Sequence, residues 1–84
     1  MKFIAEINVM PHKNLLDPQG KAVASGLKSL GIIAADNVRV GKRITLEIDA
    51  ASEENARQQV ESACRKLLAN PVMEYFEISL SAAQ

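Results

Sequence analysis

The chain has 84 residues, enough for one domain and too few for two. Ten basic and ten acidic side chains give a formal net charge of zero, and the aromatics are only Phe3, Tyr75 and Phe76; neither feature suits nucleic acid or an anionic membrane as the main partner. A core this small is marginal, so association with itself or with a partner would help it.

Met1 to Glu6 lacks the apolar run of a secretory signal, since Glu6 stands inside it. No apolar segment approaches the roughly 18 residues of a membrane span. Cys64 is the only cysteine, which rules out an intrachain disulfide and suits a reducing cytosol. The expected location is cytoplasmic.

Phe3, Ala5, Ile7 and Val9 alternate with Ile4, Glu6 and Asn8, the period of a strand with one apolar face. Pro11 ends it, because proline cannot donate to a ladder. After a link from His12 to Leu16, Asp17 is a good helix N-cap and Pro18 fits the first helical position. Ala22, Val23, Leu27 and Leu30 recur at helical spacing, with Gly26 on the same stripe. Gly31 suits the residue just past the helix, with Ile32 folding back on the last turn.

Val38, Val40, Ile44, Leu46 and Ile48 all fall on even positions. A two-residue hairpin at Gly41-Lys42 would mix apolar and charged side chains on each face, against the alternation rule. One long strand bent near Gly41 keeps the apolar residues together, as does a strand pair with a three-residue loop. The bent strand is the favoured expectation. Ser52 then caps a second helix, with Glu53 and Glu54 where the helix dipole favours acids. Ala56, Val60, Ala63, Leu67 and Leu68 form its expected buried stripe, and Asn70-Pro71 stops it. Val72, Phe76, Ile78 and Leu80 alternate as a last strand, interrupted by Glu74, and residues 81–84 read as a frayed tail.

This order predicts a small two-layer α+β sandwich related to the ferredoxin-like arrangement: an antiparallel sheet with both helices on the face of Phe3, Ile7, Val40, Leu46 and Ile78. Residues 1–84 form a single domain in this reading.

Few residues suggest chemistry. His12 is the only histidine, and Cys64 falls on the buried side of the second helix. Together they are too few for a zinc site, and no nucleophile–base pair is present. Gly41-Lys42 resembles the end of a phosphate loop, but the upstream glycine is absent and Arg43 stands where Ser or Thr is needed. The expected catalytic, cofactor and metal residues are therefore none. Arg39, Lys42 and Arg43 form a local basic cluster, either a solvated strand end or a contact for an acidic partner surface. Capping explains Asp17 and Pro18, whereas Gly20 weakens a first turn unless something approaches closely there.

Three segments taken in order, Leu16 to Val23, Val38 to Lys42 and Lys66 to Glu74, resemble the PurS family. The resemblance runs from Met1 to about Leu80. That family is the small subunit of phosphoribosylformylglycinamidine (FGAM) synthase, an enzyme of purine biosynthesis. The resemblance implies a non-catalytic subunit bridging a glutaminase subunit and a large synthetase subunit and assisting ammonia transfer between them. ATP and Mg would be used by the large subunit. The resemblance also implies a homodimer or a dimer of dimers, an expectation that unpaired sheet edges share. Asp17, Gln19, Gly20, Arg39, Gly41, Lys42 and Asn70 are the candidate partner-contact residues. A free-standing regulatory domain of ferredoxin-like type, binding a small ligand, is the alternative.

Overall fold

The computed structural model describes residues 1–83. The elements are β1 (Lys2–Pro11), α1 (Pro18–Ser29), β2 (Lys42–Asp49), α2 (Glu53–Ala63), a π-helical turn (Cys64–Leu68) and β3 (Glu74–Ala82). β1 lies in the middle of an antiparallel sheet of order β2-β1-β3. Its apolar residues face the helix side, where Ala5 is opposite Leu46 on one flank and Leu80 on the other. Ile7 is likewise flanked by Ile44 and Ile78. The even-position parity of Ile44, Leu46 and Ile48 therefore places them all on one face.

α2 covers that face. Ala56, Val60 and Cys64 are buried with Phe3, Ala5, Ile7 and Val9. Ser52 caps α2, its hydroxyl accepting from the Asn55 N–H at 3.1 Å. The helix then widens, and the Ala69 N–H bonds to the Cys64 carbonyl five residues back. This turn shifts the buried stripe: Leu68 packs on the core and Ala69 is buried, while Leu67, expected inside, is exposed.

α1 forms as its sequence predicts. The Asp17 carboxylate accepts from the Gly20 N–H at 3.0 Å. At the other end Gly31 adopts φ +85°, with Gly31 N–H bonded to Lys28 and Ile32 N–H to Leu27. These two bonds are the Schellman closure.

The placement of α1 departs from expectation: it stands off the sheet instead of sharing the helix layer with α2. Val23 and Leu30 are exposed, Leu27 is half-buried, and Gly26 faces open space. The radius of gyration is 16.4 Å and the extents are 51 × 29 × 14 Å, against about 12 Å for a compact domain of this length. With one helix over three strands, Ile44, Leu46 and Ile48 of β2 stay only partly buried.

Two further expectations are corrected. Residues 38–41 join neither a long bent strand nor a hairpin, because β2 begins at Lys42. The backbone of Val38–Val40 is engaged elsewhere, as described below. Residues 81–83 do not fray: Ser81 and Ala82 pair with Ile4 and Phe3, and Ala83 N–H donates to the Lys2 carbonyl at 2.8 Å. Gln84 lies outside the described residues.

Candidate functional site

The three segments singled out in the sequence meet at one end of the molecule. Asp17 is the centre of the junction. Its Oδ1 takes the Gly20 N–H and its Oδ2 takes the Val40 N–H at 2.9 Å, 23 residues away in sequence. One carboxylate thus caps α1 and ties its first turn to the strand preceding Gly41. Gly20 is buried, and a Cβ there would stand 2.2 Å from the Val38 carbonyl oxygen. Its lack of a side chain is what lets the two segments touch. Gly41 has a parallel role: a Cβ would meet the Met10 sulfur at 2.2 Å and the Val9 carbonyl at 2.3 Å.

Arg39 turns inward. Its guanidinium donates to the Leu15 carbonyl at 2.7 Å and to the Lys13 carbonyl, fixing the loop between β1 and α1. The expected basic cluster therefore splits. Arg43 lies on the outer face of the sheet, paired with Glu6, whereas Lys42 sits opposite Val9 on the helix face. Adjacent strand residues point to opposite sides, which separates the two cations.

The third segment closes the junction. His12 N–H donates to the Met73 carbonyl at 2.9 Å. Asn70 shapes the turn that presents Met73: its side-chain oxygen accepts from Val72 N–H, and its own N–H donates to the Glu74 carboxylate at 2.8 Å. A cleft of about 380 Å³ lies between Leu15–Gln19, Val40 and the Asn70–Glu74 turn. Leu16 and Met73 belong to its lining and are exposed, and Val72 and Leu67 are exposed close by in sequence.

Six of the seven candidate residues thus lie at or beside this junction. Asp17, Gly20, Arg39 and Gly41 build it, while Gln19 and Asn70 line its cleft. Lys42 is exposed next to Gly41. Leu16, Val40, Met73 and Glu74 also form the junction, beyond the seven candidate contact residues. The signal available for Val40 was an N-cap aspartate with a second free oxygen.

A second cleft of about 280 Å³, which shares Leu15, Leu16 and Asp17 with the first, includes Lys21, Asp36 and Arg39. Its Asp17 carboxylate and Arg39 guanidinium are already committed to backbone partners, while Lys21 is exposed. Gly41, packed on Met10, is not open to a phosphate. Cys64 is fully buried and removal from water raises its thiol pKa, the opposite of nucleophile activation.

The Val40 N–H, followed by the Gly20 N–H, lowers the Asp17 pKa below its ordinary value, with the Arg39 charge adding to the effect. A depressed carboxylate stabilises the folded form above its unfolded value, and that contribution is lost as pH falls through the folded value. The junction should hold at neutral pH and open only below the ordinary aspartate pKa of about 3.9. In NMR titrations, Val40 and Gly20 amide shifts should move together with one midpoint below that value. Separate midpoints, or one at or above it, would contradict the shared carboxylate.

The sequence pattern of the PurS family, described as phosphoribosylformylglycinamidine (FGAM) synthase, matches residues 4–82. The phosphoribosylformylglycinamidine synthase subunit PurS of Synechocystis sp. is 41% identical over 82 residues, covering 98% of this chain and 82% of that protein. The structure of Thermus thermophilus PurS superimposes with a TM-score of 0.85 at 34% identity, over 100% of both chains. A chain in the structure of PurLQS from Thermotoga maritima gives a TM-score of 0.87 at 33% identity, covering 96% of this chain and 99% of that one.

Proposed function

The chain belongs to the PurS family of phosphoribosylformylglycinamidine synthase subunits, and on that premise we propose that it works as the non-catalytic subunit joining the glutaminase and synthetase subunits of that enzyme. The overall reaction turns phosphoribosylformylglycinamide into FGAM with glutamine and ATP. ATP and Mg act in the large subunit, and the chain works in the cytoplasm. It self-associates as a homodimer or a dimer of dimers. The likeness to a chain of PurLQS supports the place beside the synthetase and glutaminase subunits.

The observation that carries the reading is the junction itself. It places exposed Leu16 and Met73 around a cleft whose acidic groups, Asp17 and Glu74, already accept backbone N–H donors. The charges left for a partner are basic: Lys21 and Lys42 are exposed on the same segments, and Lys13 is exposed in the loop that leads into them. Such a surface suits a partner with an apolar centre and an acidic rim. In this arrangement Gln19, Lys42 and Asn70 touch the partner, while Asp17, Gly20, Arg39 and Gly41 hold the surface in shape.

Reconstitution tests it. Adding the chain to the synthetase and glutaminase subunits should restore glutamine-dependent FGAM formation and leave ammonia-dependent formation much less affected. Lys42→Ala should weaken assembly at low salt, with the difference shrinking as salt screens the contact. If glutamine-dependent turnover is the same with and without the chain, the reading fails.

A further inference from the structure

The chain carries three methionines and one cysteine, and their surroundings separate them. Cys64 is fully buried with a thiol pKa raised by that burial, so it offers oxidants little thiolate. Met10 is half-buried, with its sulfur packed against Gly41. Met1 is exposed, but it lies at the opposite end of β1 from the junction, where its amino group pairs with Asp49. Met73 alone is both exposed, at 49%, and part of the lining of the cleft of about 380 Å³. Its backbone is tied on both sides. The N–H donates to the Asn70 carbonyl at 3.0 Å, and the carbonyl accepts from His12 N–H. The side chain can therefore change its chemistry while the turn stays where it is.

We propose that Met73 is a site of reversible oxidation by peroxide, and that its sulfoxide bars the partner from the cleft. The proposal rests on the reading that this cleft meets a partner subunit. The sulfur lone pair attacks one peroxide oxygen and the O–O bond breaks. The proton on the transferred oxygen goes to the departing hydroxide, which leaves as water; sulfur loses two electrons and the peroxide gains them. A flexible apolar side chain thereby becomes a polar one bearing a hydrogen-bond acceptor. Set against the apolar centre of a partner, that acceptor is buried without a donor, which costs binding. A seated partner covers the sulfur in turn, so oxidation acts on the chain before it joins the assembly. Methionine sulfoxide reductases, one for each sulfoxide epimer, reverse the step.

The test treats the full-length chain with hydrogen peroxide, removes the peroxide, and mixes the chain with the synthetase and glutaminase subunits. Peptide mass spectrometry should find the added oxygen on Met73 well before Met10. The circular dichroism spectrum should stay native while the dissociation constant for the subunits rises roughly tenfold or more, the scale of one lost interface anchor. Reductase treatment should restore it. Met73→Leu keeps the apolar volume and should assemble like wild type both before and after peroxide. Chain already in the assembly should oxidise at Met73 more slowly than free chain. Peroxide sensitivity that persists in Met73→Leu overturns the proposal, as does earlier oxidation of Met10 or equal oxidation in the assembly. Assembly that survives full oxidation of Met73 overturns this inference alone. Failure of the untreated chain to assemble overturns it together with the subunit reading.

Discussion

Gly20→Ala is expected to abolish productive assembly with the partner subunits while lowering the melting temperature less than a truncation in the core does. Two effects oppose each other in the stability. Alanine in place of glycine in a helix gains about 0.5–1 kcal/mol. The new Cβ would meet the Val38 carbonyl at 2.2 Å and Asp17 Oδ2 at 2.8 Å, and overpacking of this kind costs typically ~1–3 kcal/mol. The contact at 2.2 Å is with backbone, which no rotamer change can relieve. The first turn of α1 must therefore move off residues 38–40, and the Asp17–Val40 bond goes with it. The sheet and α2 do not take part. The variant should show a native circular dichroism spectrum, a displaced Val40 amide resonance and little glutamine-dependent FGAM formation when mixed with the other subunits. Wild-type assembly with an unshifted Val40 amide would show that the close approach has no role.

Ile7→Ala should give the opposite pattern. Ile7 is fully buried at the centre of the middle strand, flanked by Ile44 and Ile78 and covered by the α2 side of the core. Truncating a buried isoleucine to alanine costs about 2–5 kcal/mol, the lost transfer energy plus the cavity. In a domain of this size each kcal/mol moves the melting temperature by roughly 4–8 °C, so the loss should reach ten degrees or more. At temperatures where the variant remains folded, the junction and its Asp17–Val40 bond should be intact. Denaturant melts read the first effect and the Val40 resonance the second. A loss below about 1 kcal/mol would mean that the core does not centre on β1.

The contrast between these variants follows from how the chain divides its information. Caps and alternation were legible because each is a local rule with a local partner. Asp17-Pro18 starts α1 and Gly31 ends it. The parity of Ile44, Leu46 and Ile48 set the buried face of β2. The position of α1 was not legible. Val23, Leu27 and Leu30 declare that one side of a helix wants cover, but spacing does not say which surface supplies it. The same limit applied to residues 38–41. Val38 and Val40 alternate like a strand, yet the Val40 N–H is taken by Asp17 and the Val38 carbonyl lies against Gly20. A backbone committed to a side chain and a helix turn has nothing left for a ladder. Arg39 read as an outward cation, solvated or facing an acidic partner, for a related reason: its two acceptors are carbonyls 24 and 26 residues away, and carbonyls have no signature in a sequence. Leu67 turned outward, and Ala69 took the buried place after Leu68, because the π-helical turn adds a residue to the period there.

The Asp17 carboxylate has one more consequence. α1 is 12 residues long, about 18 Å of rod, and the Asp17 carboxylate ties its base to Val40. A rotation of only about 10° at Asp17 would sweep the far end, near Ser29, through about 3 Å, the width of an atom. The two bonds that this carboxylate makes thus set the aim of a long lever, and a small change at the root is magnified at whatever surface the tip reaches.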